Sequence, residues 1–392
     1  MEEKKINQSP FGAPVGRRSP SHEPVDGPRR LQRMGAVTVG VSLPRAWVGE
    51  RGLVAGNPIH LKTLPDGSLL LRDRVQGTAQ GRSVILVNSQ MAPEHLFRQL
   101  IGAYLSGASE FLIYEDGGIS AQTRGVAKTF VRRTVQPEIV SEESTTLLLK
   151  DVSLGTGLPL PQLLHRMFQV VDNLQQEAAL AWDAGGRHRP ESLETRDDEV
   201  DRHEWLIERV LTLRLTSEVI DTGRNTPFED PMQCLLLARA LERVADHAVQ
   251  IQENGSRLLE SSPPRRILAS VGGFHRQVLE NLRRAFRVAE SPDAGSANDI
   301  IDTGEALHAT HRTLTEGFLA HGGFAELSPI AVASLGLVLQ SIDRTAAYAQ
   351  DIAQVGLDRA AWGLIDRSPR RTRAVGVTSP ATNEQAKQGG RK

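Results

Sequence analysis

Hydrophobic positions recur at helical spacing through the second half of this chain and in short alternating runs through the first. From about Leu158 the apolar residues form six long amphipathic stretches, over 160–184, 190–220, 228–261, 265–290, 297–320 and 329–360. Between them fall AGGRHRP, GRNTP, SSPPRR, SPDAG and AHGGF, the small, polar and Pro-rich residues expected between antiparallel helices. Earlier, residues 80–150 alternate in the order β-α-β-α-β-β. The strands are read at Ser83–Val87, Phe111–Tyr114, Glu138–Val140 and Thr145–Leu149, and PEHLFRQLIGAYLSG and SAQTRGVAKTFVRRTV are the helices. No Gly-rich phosphate loop joins strand to helix there, so no nucleotide site is expected. Before it, Arg30–Arg74 carries short strand-like runs at Ala36–Val41, Ile59–Leu61 and Ser68–Leu71. A helical start follows Leu43-Pro44, Gly52 and Gly56 act as breakers, and Pro65-Asp66-Gly67 is a hairpin signal. The ends, 1–29 and 366–392, show no periodicity and read as disordered.

The helical half repeats. Asp201 to Asp302 and Glu242 to Asp343 are both steps of 101 residues, and the internal spacing of 41 is kept. Equal spacing across two long segments reads as a tandem duplication of a three-helix unit. The first unit carries two pairs of acidic residues four apart, each of which places two carboxylates on one helix face: Asp197 with Asp201, and Glu242 with Asp246. Oxygen-rich faces of this kind suit hard or borderline cations. Glu242 also lies on the seam Leu235, Ala238, Glu242, Ala245, Val249, where an unpaired charge is costly. The stripe Asp197, Asp201, Glu204, Glu208 is more ambiguous, since a solvated face has the same pattern. In the second unit Asp302 and Asp343 remain, but Asn298 and Ala347 replace two acids, so a weaker second site is expected. His203 and His247 neighbour the motifs; the helical turn aims His247 away from Glu242 and Asp246. Cys234 reads as a small core residue.

Charge and size sharpen the picture at the ends. Residues 1–74 hold twelve Lys/Arg against seven Asp/Glu, and 366–392 hold seven against two, so basic ends flank an acidic body. That asymmetry suits a nucleic-acid or anionic partner, or two solvated tails. Arg29, Arg30, Arg33 and Arg45 surround a unit of about 45 residues. A unit that small buries little surface alone, so a homodimer presenting two sets of arginines to DNA is expected. A lone cysteine excludes an intrachain disulfide framework and a cysteine metal site. No run approaches eighteen apolar residues and the N-terminus lacks a secretory stretch, so no transmembrane segment and a cytoplasmic location are expected. No Ser/His/Asp order or nucleophile elbow stands out, and an enzyme is not expected.

On these residues two resemblances rest. LQRMGAVTVGVSLPRAWVGERGLVAGNPIHLKTLPDGSLLL resembles the AbrB-type swapped-hairpin DNA-binding domain, through SLPRAW, the Gly-Leu with a second Gly, and the closing hairpin. It departs at Asn57, where that family usually carries Asp. The six-helix region is similar to PhoU, the phosphate-uptake regulator of two three-helix bundles, whose acidic motif is matched by Asp197/Asp201 and Glu242/Asp246. From about 30 to 360 the arrangement resembles archaeal phosphate-uptake regulators that join both domains. The expected architecture is therefore a multidomain chain. Its parts are a tail over 1–29, an AbrB-like domain over 30–75, a small α/β module over 80–152, PhoU-like three-helix bundles over 155–262 and 263–362, and a tail over 366–392. The resemblance implies a regulator of phosphate uptake and phosphate-responsive genes, with iron or zinc as cofactor and DNA, a phosphate transporter or a phosphate-sensing protein as partner. The alternatives are an adaptor that inhibits the transporter without touching DNA, and a metal-storage or metal-dependent bundle. The metal-dependent enzyme class combines Glu with Glu-x-x-His, which does not accompany these carboxylates.

Overall fold

The computed structural model describes residues 28–35, 37–63, 68–73, 81–88, 90–152, 159–183, 194–216, 230–320 and 327–363. The Pro65-Asp66-Gly67 turn, the loop segments AGGRHRP and GRNTP, most of the N-terminal tail and all of the C-terminal one lie outside the described residues. By contacts the chain divides into Met1–Gln76 and Gly77–Lys392.

The first unit holds two antiparallel pairs, β1 (Leu31–Arg33) with β2 (Val39–Val41) and β3 (His60–Thr63) with β4 (Leu69–Arg72). A short helix, α1 (Arg45–Glu50), lies between them. The breakers act as the sequence implies. Gly52 and Gly56 both take positive φ, +62° and +96°, where a Cβ is disfavoured. Asn57 accepts the Val54 N–H through its side-chain oxygen at 2.8 Å, a bond that an aspartate would make equally, so the departure from the AbrB pattern leaves this turn intact. None of the unit's described residues is buried, and Leu31, Val39, Leu61 and Leu69 are all more than half exposed.

The second unit begins with an α/β module: β5 (Gly81–Val87), α2 (Pro93–Leu105), β6 (Ala108–Glu115), α3 (Ala121–Arg133), β7 (Pro137–Glu142) and β8 (Thr146–Asp151). This is the element order expected from the alternation. The sheet runs β5-β6-β8-β7, parallel only between β5 and β6, which α2 connects. Ser120 caps α3, its side chain accepting the Thr123 N–H at 3.1 Å. Phe111, Phe130 and Tyr104 meet edge-on in the core between sheet and helices.

Six helices follow: α4 (Leu160–Asp183), α5 (Glu194–Thr216), α6 (Pro231–Glu260), α7 (Arg265–Glu290), α8 (Ala294–Ala320) and α9 (Pro329–Gly363). Their bounds track the apolar periodicity to within a few residues. Helices α4, α5 and α6 pack on one another, as do α7, α8 and α9, and the two groups join through α4 against α7 and α6 against α9. Phe168 and Phe286 stack face to face at 3.9 Å in the α4–α7 seam. Deeper, Trp182 Nε1 donates to His275 Nδ1 (3.2 Å), and His275 Nε2 meets Gln175 Oε1 (2.9 Å). Gln175 in turn donates to the Val244 carbonyl (2.8 Å) and the Thr345 hydroxyl (3.3 Å). His275 is fully buried, and desolvation with nearby Arg276 pushes its pKa down to about 3, so it sits neutral as one link of a satisfied network. Helix α9 is long and apolar enough, by length and composition alone, to cross a membrane. It packs against α6, α7 and α8, which accounts for its hydrophobicity as a core helix.

The α/β module docks on α5. Trp205 of α5 packs into the module's core and Val135 of the module packs into the helical core. Arg209, only 2% exposed, reaches from α5 to the Tyr104 carbonyl at 2.5 Å and to Asp151 Oδ2 at 3.0 Å, lying over the Tyr104 ring. Gly107 takes φ +89°, which disfavours a side chain, and a Cβ there would come within 2.9 Å of the Leu213 side chain. Burial lifts the Tyr104 hydroxyl to about 12, and it donates to the Val135 carbonyl.

Candidate metal centre

Two helices bring the acidic residues together. Asp230 caps α6 by accepting the Met232 N–H at 2.8 Å, with Pro231 in the first turn. Leu237, Ala238, Leu241 and Ala245 then turn inward and fix the rotation of α6. Glu242 and Asp246 are left at the edge of that buried face, half-buried. On α5, burial of Val200, Ile207 and Leu211 does the same for Asp201 and Glu204. One carboxylate oxygen each from Asp201, Glu204 and Glu242 lies within 4.8 Å of the others.

The electrostatics follow from that crowding. Burial, then Glu208 and Asp201, lifts the Glu204 carboxyl to about 7. Burial, then Asp246, Glu204 and Asp201, lifts Glu242 to about 7. Burial also raises Asp246, although a hydrogen bond shared with Glu242 opposes it. These are half-buried carboxylates close to one another, where a proton or a cation relieves the repulsion. The donor set is all oxygen, which fits hard and borderline cations and gives no basis for a soft, thiolate-type ion.

A cation of the protein's own touches one side. Arg133, from the end of α3, sets Nη2 2.6 Å from Asp198 Oδ1 and 2.7 Å from Asp201 Oδ2. Its guanidinium lies over the rings of Phe97 (5.7 Å) and Trp205 (5.3 Å). Burial still raises Asp201 above the usual carboxylate range, with Arg133 opposing and Asp246 and Asp198 adding to the rise. Glu208, the last acid of the α5 stripe, adjoins Glu204 and meets Arg239 at 3.7 Å.

Of the residues expected to hold metal, Asp201, Glu242 and Asp246 are brought together. Asp197 lies in α5 one turn before Asp201, and its side chain is outside the described residues. Glu204 was readable only as a member of an ambiguous stripe, though its i+3 spacing from Asp201 was the available signal. Nothing in the sequence pointed to Arg133, which arrives from 68 residues earlier in the chain.

The second repeat is arranged differently. Asp302 is exposed, as are Asn298 and Glu305, the counterparts of Asp197 and Glu204. Asp343, the counterpart of Glu242, is held by His308 Nδ1 at 2.6 Å and His311 Nδ1 at 3.5 Å. The other His308 nitrogen meets Gln350 Oε1 at 3.1 Å, and Gln350 Nε2 donates to the Ile301 carbonyl at 2.9 Å, which fixes the amide's orientation. His308 therefore faces an oxygen atom at each of its two ring nitrogens. Gly304 makes room for Gln350, whose side chain a Cβ there would strike.

The candidate DNA-binding residues all lie in the first unit. Arg30, Arg33 and Arg45 are exposed and Arg29 is half-buried; Arg33 ends β1 opposite Val39, and Arg45 opens α1. Cys234 is fully buried in the helical core, which pushes its thiol up to about 12. His203 is buried and bonds the Glu199 carbonyl at 2.6 Å, and His247 stacks on Tyr348; neither belongs to the three-carboxylate group.

Comparison with known proteins agrees with the helical reading in part. Residues 164–255 match the family model of the PhoU domain, a stretch running from α4 through α5 into α6 and containing every member of the carboxylate group. This supports a PhoU-type protein and fits a role in regulating phosphate uptake. No curated protein and no solved structure matches the chain.

Proposed function

We propose that this protein is a metal-responsive regulator of phosphate uptake that also binds DNA. The observation that carries the metal part is the Asp201, Glu204 and Glu242 group, with Asp246 beside it, inside the stretch that matches the PhoU domain. Iron or zinc would sit between α5 and α6, replacing protons on carboxyls whose pKa values burial and mutual repulsion raise. The chain's own part is to hold the oxygens close together at the edge of the core and to shield them from water. Elemental analysis of purified protein tests this: bound metal in wild type should fall steeply in Glu242→Gln combined with Glu204→Gln. Equal metal content in both would sink it.

The DNA part rests on the first unit. Its described residues include none that is buried, while several of its β-strand Leu and Val side chains are exposed. A unit of this kind gains a core by pairing with a second copy, the arrangement that the AbrB resemblance implies. Paired copies would offer Arg30, Arg33 and Arg45 twice over to a duplex. Gel shifts across a salt series should show affinity falling steeply with salt, with a flatter slope for Arg33→Ala combined with Arg45→Ala. Absence of DNA binding by wild type at low salt would favour instead an adaptor acting on a phosphate transporter. A cytoplasmic location fits either reading.

A further inference from the structure

The 101-residue repeat brings equivalent residues together at one further place, where α6 meets α9. Arg243 and Arg344 are a repeat pair, and so are His247 and Tyr348. All four converge. His247 and Tyr348 stack at 5.8 Å, and the guanidiniums of Arg344 and Arg243 lie 4.9 and 5.9 Å from the Tyr348 ring centre. Arg344 Nη2 also donates to the Tyr348 hydroxyl at 3.0 Å. That hydroxyl accepts from arginine and keeps its own proton to donate elsewhere. His247 Nδ1 is buried and has no hydrogen-bond partner.

These arginines differ from several others of the second unit. Arg133, Arg209, Arg239 and Arg283 each meet a carboxylate within 4.0 Å, whereas neither Arg243 nor Arg344 does among the described residues. The acids that act on them from a distance are Asp351 on both, and Glu242 and Asp246 on Arg243. Two guanidiniums without a carboxylate within 4.0 Å, a hydroxyl with a proton to give and a buried ring nitrogen without a partner thus converge at equivalent repeat positions, with no anionic acceptor among the described residues that contact them. Arg's fixed fork suits an oxyanion. Tyr348 is only 7% exposed, so the hydroxyl is recessed and favours a small ion.

We infer that Arg243, Arg344, Tyr348 and His247 form a binding site for a small tetrahedral oxyanion of the phosphate class, centred between α6 and α9. The site is separate from the carboxylate group, and Arg243 is the residue that adjoins both. A cation bound by Glu242 and its neighbours would neutralise the acids opposing Arg243, and so would strengthen anion binding; by linkage the anion would strengthen the cation's.

Equilibrium dialysis of the full-length protein against radiolabelled inorganic phosphate at constant ionic strength tests the inference, once with a chelator and once with magnesium. Wild type should take up one phosphate per chain, more tightly with magnesium. Arg243→Gln combined with Arg344→Gln, which keeps the side-chain stems, should weaken uptake at least about tenfold, the scale of losing one charge-assisted bond. Tyr348→Phe should weaken it by a smaller factor, and Arg312→Ala, an exposed position on α8, should leave it unchanged. Glycerol phosphate that displaces the label assigns the site to esters as well as the free ion, and failure to displace assigns it to the ion alone; both uphold an oxyanion site. No saturable uptake by wild type in either buffer, or undiminished uptake by a folded double variant, overturns it. Metal content is measured in the same samples. Metal lost from the Glu242→Gln protein with phosphate uptake kept in chelator upholds this site, whereas metal kept and phosphate never bound defeats this inference and not the metal reading.

Discussion

The two three-helix units share a register but neutralise their acids by different means. In the first, Asp201, Glu204, Glu242 and Asp246 crowd together, and the nearest cation is Arg133, borrowed from the α/β module and placed on Asp198 and Asp201 alone. In the second, Ala347 stands where Asp246 would be and Asn298 where Asp197 would be, Asp302 is exposed, and Asp343 is clasped by His308 and His311 from within the unit. The position of His308 corresponds to Ile207, a buried core residue of the first unit. A duplicated backbone thus fixes where a carboxylate stands, but not what answers its charge. That depends on whether the neighbouring position holds an apolar residue, as at Ile207, or a histidine, as at His308. The first unit leaves its carboxylates facing one another, and the second sets histidine side chains against its own.

The strongest way to break this comparison is to remove acids from the first unit. Glu204→Gln with Glu242→Gln should lower metal affinity at least about tenfold, since charge count dominates binding of hard cations. His308→Ala should leave total bound metal unchanged, as read by elemental analysis. A larger loss from the histidine variant than from the carboxylate variant would reverse the assignment.

Arg133→Ala comes next in size. It frees Asp201 for a cation and should raise metal affinity several-fold by titration. The same change removes a contact to two aspartates and two aromatic rings, and should cost about 2 kcal/mol in denaturant unfolding of the metal-free protein. Unchanged metal affinity would mean that Arg133 and the cation do not compete.

The pH dependence is a milder effect with a definite sign. Glu204 and Glu242 are raised from 4.5 to about 7 in the folded chain. The folded state therefore binds their protons more tightly than the unfolded state does. Their contribution to stability is complete below about pH 4.5 and is lost as pH rises through about 7. Metal-free protein should show a Tm that falls between pH 5 and pH 8 from this source. Glu242→Gln should flatten the trend, as scanning calorimetry in chelator would reveal.

Conversion of the second unit gives the smallest expected change. His308→Ile with Asn298→Asp and Ala347→Asp rebuilds the first unit's residues on the second backbone. Metal stoichiometry should rise, weakly, because Asp302 and Glu305 are more exposed than their counterparts. No rise would show that helix placement, as well as residue identity, separates the two.

Much of this architecture is written locally in the chain. The 3.6-residue spacing of Leu, Val and Ala in α4–α9 is a property of each helix alone, so helix number and bounds follow from it. The β-α-β-α-β-β order of the module and the glycine turns at 52 and 56 are equally local. The repeat step of 101 announced that Glu242 and Asp343 stand at equivalent places. Tertiary packing alone decided the rest. Whether the α5 stripe was a solvated face or half of a site depended on the rotation of α5 against α6, set by Val200, Ile207 and Leu211 burying together with Leu237 and Leu241. The approach of Arg133 depended on the module docking on α5, a contact with no periodic signature. The clasp on Asp343 required α8 to lie against α9, and the meeting of Arg243 with Arg344 required the two halves to pack through α6 and α9. The physical reason is one of range. Helix formation answers to neighbours three and four residues away, whereas charge and hydrogen bonding answer to whatever lies within a few ångströms, from any part of the chain.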